Sequence, residues 1–175
     1  MRHLIVSALL ILLMPPLYAA QVCNSSMKLV APDSRYSDNN DGTITDNFTG
    51  LMWKQCTEGL SGSGCSTGIA TSLTWQGALQ IPATLNTTGG FAGYSDWRLP
   101  NIKELASLVE ESCYRPAINI NIFPDAISLG YWSSSANADS SSVAWVINFR
   151  DGADSAGSYN LRHYYGYARL VRAGQ

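Results

Sequence analysis

Charge is what this sequence has least of. Asp, Glu, Lys and Arg make up 14% of its 175 residues, against roughly a quarter in an ordinary soluble domain. Lys and Arg number 11 and Asp and Glu 13, so neither sign dominates. That excludes a nucleic-acid binder carried by a basic surplus. Aromatics at 10% exclude a disordered polyelectrolyte, which needs high charge and few aromatics. Histidine is scarcer still, with 2 in the chain. A histidine metal cluster cannot be assembled from His163 alone, and a Ser-His-Asp arrangement would have to run through it. No Gly-x-Ser-x-Gly elbow is present. The Gly62-Ser63-Gly64 stretch with Gly68 misses the dinucleotide spacing and has no strand-helix context. These absences point to a non-catalytic chain that needs no cofactor.

Long apolar runs are also missing, save one at the start. Arg2 and His3 precede an almost wholly apolar segment from Leu4 to Met14, followed by Pro15, Pro16 and then Tyr18-Ala19-Ala20. This is the pattern of a secretory signal peptide, and it is too short to span a bilayer core of roughly 30 Å. Residues 1–20 are therefore expected to be a leader and residues 21–175 a single domain. The chain's net charge is −2, and loss of Arg2 with the leader makes the mature value −3. The expected location is secreted, periplasmic or cell-surface. Val22 before Cys23 argues against a lipid anchor, since that position calls for a small residue.

The four cysteines, Cys23, Cys56, Cys65 and Cys113, all fall after the leader. An even count in an exported chain reads as disulfides. Three connectivities exist for four cysteines. Cys56 and Cys65 flank a Gly/Ser-rich loop and are natural local partners, which leaves Cys23 with Cys113. The rival reading, a four-cysteine zinc site, lacks the paired Cys-x-x-Cys spacing.

The chain opens with turn-rich, β-prone sequence. Asp41-Gly42 between Arg35-Tyr36-Ser37-Asp38 and Thr43-Ile44-Thr45-Asp46 predicts a hairpin, and Leu51-Met52-Trp53-Lys54 a further strand. Asp38 to Asp46 also tempts a calcium-loop reading, but Ser37 and Phe48 then occupy positions where acids are needed; turn-capping Asp and Asn side chains explain the segment better. A helix is expected from about Leu73 to Gln80, stopped by Pro82. A second is expected to start at Asn101, with Glu104 completing a capping box. Ile102, Leu105, Leu108 and Val109 carry its apolar face towards Cys113. Glu110 and Glu111 read as a solvated helix end, because neighbours on a helix point apart. Tyr131 to Ser134, Val143 to Phe149 and Tyr167 to Arg172 read as strands, with Trp145, Ile147 and Phe149 on one face. Early hairpins, two middle helices and late strands make an α+β fold.

Several of these segments together are familiar. Asp41-Gly42-Thr43-Ile44-Thr45-Asp46, Thr49-Gly50-Leu51-Met52-Trp53, Asp96-Trp97-Arg98-Leu99-Pro100 with Lys103-Glu104-Leu105, Cys113-Tyr114, Tyr131-Trp132-Ser133-Ser134-Ser135 and Ala168-Arg169-Leu170-Val171-Arg172 occur in order. In this the chain resembles the Lcl C-terminal domain family, named for the C-terminal domain of the Legionella collagen-like adhesin. The resemblance implies a C-type-lectin-like fold, akin to formylglycine-generating and sulfatase-modifying proteins. It also implies surface binding, with sulfated glycosaminoglycans as the adhesin's ligand and a trimer as its assembly, so a homo-oligomer is a candidate state. This chain has no Gly-X-Y stalk. Formylglycine chemistry does not carry over, because it needs a late cysteine pair and no cysteine follows Cys113.

Within Asp96 to Pro100, Trp97 and Leu99 are expected in the core, with Arg98 pairing to Asp96 or Glu104. The best binding candidate is the C-terminal segment, where Tyr159, Asn160, Arg162, His163, Tyr164 and Tyr165 are interspersed with Gly and Ser. Tyr, Ser, Gly and Asn are the residues of adaptable recognition loops. Arg162, Arg169 and Arg172 lie there without an acid between Ser158 and the end, a local surplus suited to sulfate or carboxylate groups. Trp132 and Arg150 are further candidates. The expected partner is an extracellular glycan or a surface protein, with no nucleic acid and no transmembrane span. A structural subunit of a surface appendage is the alternative. An enzyme using Asp151 and Asp154 ranks last, since Asp residues in a loop usually cap turns.

Overall fold

The computed structural model describes residues 20–140, 143–156 and 164–174. Four antiparallel strands form the first sheet: β2 (Tyr36–Asp38), β3 (Thr43–Asp46), β4 (Leu51–Lys54) and β11 (Val171–Ala173), in the order β11-β4-β3-β2. The second sheet has the order β10-β9-β8, from β8 (Gly130–Ala136), β9 (Ala144–Asn148) and β10 (Ala153–Ser155). Two-residue ladders complete the set: β1 (Val22–Cys23) with β7 (Cys113–Tyr114), and β5 (Leu60–Ser61) with β6 (Thr67–Gly68). The α-helices among the described residues are α1 (Trp75–Thr87) and α2 (Ile102–Ala106). The α+β class is as the sequence pattern implied. No helix among the described residues is long and apolar enough to cross a membrane.

The β2–β3 hairpin turns where Asp41-Gly42 stands. Gly42 has φ +85°, a conformation that costs glycine little and other residues more. The Asp38 carboxylate accepts from the Asn40 N–H, and Asp41 accepts from the N–H and hydroxyl of Thr43. These acids cap the turn with their own side chains.

Both sheets bury two faces. Tyr131, Ile147, Trp53 and Val171 belong to one apolar cluster, and their chain neighbours Trp132, Val146, Met52 and Leu170 to another. The alternation follows from the two-residue period of a strand. Phe149 joins the first cluster with Ile147, as the strand pattern anticipated, and Trp145 is half-buried. Each fully buried side chain of this size contributes about 1.5–3 kcal/mol.

Both helices depart from expectation. α1 runs on through Pro82, which is buried within it. The ring deprives Ala78 of one helical hydrogen-bond donor, but Leu79, Ile81 and Leu85 pack on the second cluster and hold the later turns in place. Helix α2 starts as the capping box dictates: Asn101 accepts from the Glu104 N–H at 2.9 Å and Glu104 accepts from the Asn101 N–H at 2.8 Å. It then ends at Ala106, well short of Cys113, which lies in β7 instead. Leu108 still reaches the first cluster.

The disulfides are Cys23–Cys113 and Cys56–Cys65. Glu110 is not at a solvated end. It is 2% exposed and accepts hydrogen bonds from the N–H groups of Val30, Ala31 and Ser112 and from the Ser112 hydroxyl. Burial opposes its charge, yet these donors outweigh burial and hold its carboxyl below the usual glutamate range. Glu110 thus pins the segment after β1 onto the body of the domain.

Candidate binding cleft

The segment leading to β11 connects the two sheets. Gly166 exchanges both backbone hydrogen bonds with Leu73, each at 2.8 Å. Tyr167 donates from its N–H to the Gly130 carbonyl at 3.0 Å, and its carbonyl accepts from the Trp132 N–H at 2.8 Å. Four residues on, Val171 exchanges bonds with Arg98 and β11 pairs with β4. Gly166 must be small here: a Cβ would lie 3.0 Å from the Trp132 indole nitrogen and 3.1 Å from the Gly130 carbonyl.

This anchored base presents Tyr164 and Tyr165 at 54% and 65% exposure. They border a cleft of about 360 Å³ whose other walls include Ser72, Leu129, Val146 and Asn148. Trp132 also lines it but is 1% exposed, and its indole N–H is held by the Leu73 carbonyl at 2.8 Å. The structure therefore brings Trp132, Tyr164 and Tyr165 together, with the tryptophan as floor and the tyrosines as rim. Tyr159, Asn160, Arg162 and His163 lie outside the described residues. Arg150 follows β9 on a turn, exposed, and lines a different groove that, among the described residues, shares Leu129 with this cleft.

The expected cationic surplus does not form as supposed. Arg169 is fully buried. Its guanidinium donates to the carbonyls of Lys54 and Gln55 and to the Thr57 hydroxyl, and pairs with Asp125 at 3.3 Å. Burial opposes the Asp125 charge, but the Arg169 guanidinium and the Thr57 donors hold its carboxyl below the usual aspartate range. Arg172 is 7% exposed, pairs with Asp96 at 2.7 Å and stacks 3.9 Å above the Tyr94 ring centroid. Both arginines serve the interior. An Arg inside an apolar strand pattern is a signal of that role, yet nothing in the sequence points to Asp125 or Asp96 as the partner. Arg98 takes Glu104, bidentately at 2.7 Å to each oxygen, while Trp97 and Leu99 are buried as expected.

Two of the further hollows among the described residues have no local signature in the sequence. One of about 500 Å³ opens between the β2–β3 turn and the Gly-rich loop, with Asp38, Asn40, Gln55 and Phe91 on its walls. The other, of about 830 Å³, is the groove that holds Arg150. Neither is visible as a local motif, because each is built from segments distant in sequence. Among the described residues no group of three His, Cys, Asp or Glu stands close enough to hold a metal ion.

Antiparallel hairpins, two short helices and two disulfides around a split apolar core define a disulfide-stapled α+β domain with a surface cleft. The sequence profile of the Lcl C-terminal domain matches residues 42–172, which is most of the chain, and the chain belongs to that family. A comparison with curated proteins gives no match.

Proposed function

We propose that the chain is an exported, non-catalytic binding module, released from a leader ending near Ala20, that takes an extracellular ligand at its C-terminal face. The exposed tyrosine pair above the Trp132 floor carries this reading. Tyrosines give contact area at low entropic cost and stack on sugar or protein surfaces. Tyr159, Asn160, Arg162 and His163 belong to the same stretch of chain and are proposed as further contacts. The ligand class is an extracellular glycan. The family's link to an adhesin and the C-type-lectin-like fold expected from the resemblance both fit a glycan ligand. With Arg169 and Arg172 committed to the interior, recognition of a sulfate would fall to Arg162.

The test is a glycan array and a heparin column on the exported, oxidised protein, beside a Tyr164→Ala/Tyr165→Ala variant. Retention of a glycan by the parent and at least tenfold weaker retention by the variant, at unchanged melting temperature, supports the cleft. A variant that binds as the parent does removes these tyrosines from the site. Elution from heparin that ignores salt argues against a sulfate contact. Indifference to every glycan, together with concentration-dependent oligomers, would turn the reading to an assembly subunit that binds protein.

A further inference from the structure

Outside the candidate cleft, a groove of about 830 Å³ lies beside Arg150. That size is within the range of small-molecule sites. Its walls are mostly apolar, with Leu60, Ile120, Pro124, Ile127 and Leu129 among them. Ile120 and Leu129 face solvent at 38% and 53% exposure, so apolar surface is left open to water along the groove.

Two arginines stand at this apolar groove. The Arg115 N–H donates to the Arg150 carbonyl at 2.8 Å, which holds the two residues side by side. Both are exposed. Among the described residues neither guanidinium meets a carboxylate; Arg115 only passes 5.8 Å from the centroid of the Tyr114 ring. Arg115 also has φ +55°, a backbone that glycine would adopt at less cost. The acid in the groove wall, Asp125, does not offset these charges, because Arg169 already neutralises it and its side chain is 4% exposed.

The walls also say what kind of body fits. Pro116 and Pro124 line the groove and carry no backbone N–H. The Gln21 amide, also in the wall, is committed to the carbonyls of Pro116 and Ile118 at 2.7 and 2.8 Å. Apart from the Ser128 hydroxyl and the two guanidiniums, a peptide laid here would find few side-chain donors for its own carbonyls. A hydrocarbon chain needs none along its length, and a carboxylate at one end matches the planar, forked donors of an arginine. We infer that this groove binds an aliphatic carboxylate, its chain along Ile120, Ile127 and Leu129 and its head group at Arg115 and Arg150. The site shares Leu129 with the tyrosine cleft but does not use its tyrosines.

The probe is dodecanoate, titrated calorimetrically below its micelle concentration into the exported, oxidised protein. One saturable site is expected. Arg115→Gln/Arg150→Gln should weaken it at least tenfold, and Leu129→Asp should abolish it. All three changes fall on exposed side chains, so the melting temperature of the free protein should hold within a few degrees. Dodecanol should bind at least tenfold more weakly than dodecanoate, and dodecyltrimethylammonium should not bind. Absence of saturable dodecanoate binding would overturn the inference. So would equal binding of the alcohol, or indifference to both sets of variants. A peptide with an apolar C-terminus binding in place of dodecanoate would replace the aliphatic ligand with a protein one. Tyr164→Ala/Tyr165→Ala should leave dodecanoate binding untouched, which separates a failure here from a failure at the cleft.

Discussion

Arg169 and Asp125 form an ion pair closed to solvent, with side chains 0% and 4% exposed and an N–O distance of 3.3 Å. The pair joins the segment ahead of β11 to the loop before β8, and Thr57 connects both, donating its N–H to Asp125 at 2.7 Å and accepting from Arg169 at 3.2 Å. Removing one member leaves a buried charge without its partner, at a cost of about 3–5 kcal/mol. Arg169→Met and Asp125→Asn should each lower the free energy of unfolding by that order, read from denaturant midpoints. Arg169→Lys should not restore it, because one ammonium cannot replace a fork that also serves the carbonyls of Lys54 and Gln55. A lysine variant as stable as the parent would show that charge alone matters there.

Stability should fall on the acid side. Asp46, Glu104, Glu110 and Asp125 all have carboxyls held below their usual range, despite burial, by hydrogen bonds and by arginines where these are near. A group whose folded value is depressed binds its proton first in the unfolded chain. Its contribution is therefore present above the ordinary carboxylate value of about 4 and is lost as pH falls through the folded value. Urea midpoints should be nearly level from about pH 7 to pH 5 and drop steadily below about pH 4. Glu110→Gln should cost about 2 kcal/mol at neutral pH and make the acid limb shallower. An acid limb as steep as the parent's would mean that Glu110 is not among its sources.

The two disulfides should differ in worth. Cys23–Cys113 closes a separation of 90 residues and Cys56–Cys65 one of 9. Chain-entropy arithmetic gives about 4.6 kcal/mol for the long closure and about 2.6 kcal/mol for the short one. The long bridge also ties β1 to β7, next to the segment that Glu110 pins. Replacing Cys23 and Cys113 together by Ala should thus cost more than replacing Cys56 and Cys65, compared by denaturant unfolding of the two double variants. The reverse order would place the short bridge's worth in shaping the loop that it closes.

What the sequence disclosed was what short-range chemistry controls. Asp41-Gly42 marks its turn, Asn101 and Glu104 mark a helix start, and Trp97 and Leu99 read as core residues. The helix ends were misjudged for a tertiary reason. Pro82 reads as a stop, but the apolar residues beyond it keep α1 going against the second cluster. Beyond Ala106, the apolar spacing of Leu108 and Val109 persists without a helix, because the chain bends to bring Leu108 into the core. Glu110 and Arg169 looked like surface charge because their partners are distant: Val30 and Ala31 lie about 80 residues from Glu110, and Asp125 lies 44 from Arg169. The tyrosine rim could be read from composition. The groove of Arg115 and Arg150 could not, since it exists only once the disulfide end and the loop before β8 are packed together.

The floor and rim of the cleft should separate cleanly in stability. Trp132 is buried in the second cluster, so Trp132→Ala removes a large core side chain and one of the two hydrogen bonds that the Leu73 carbonyl accepts, leaving the one from Gly166. A cost of about 3–5 kcal/mol is expected, with loss of the bridge geometry that Gly166 and Leu73 share. Tyr164 and Tyr165 are more than half exposed, and their replacement by Ala should change stability by no more than about 0.5 kcal/mol. A single thermal-melt series on the three variants checks this. If either tyrosine proves as costly as the tryptophan, it is a packing residue and its loss cannot be read as loss of a contact. If both are silent in the melt, any effect they have on ligand retention belongs to the surface they present.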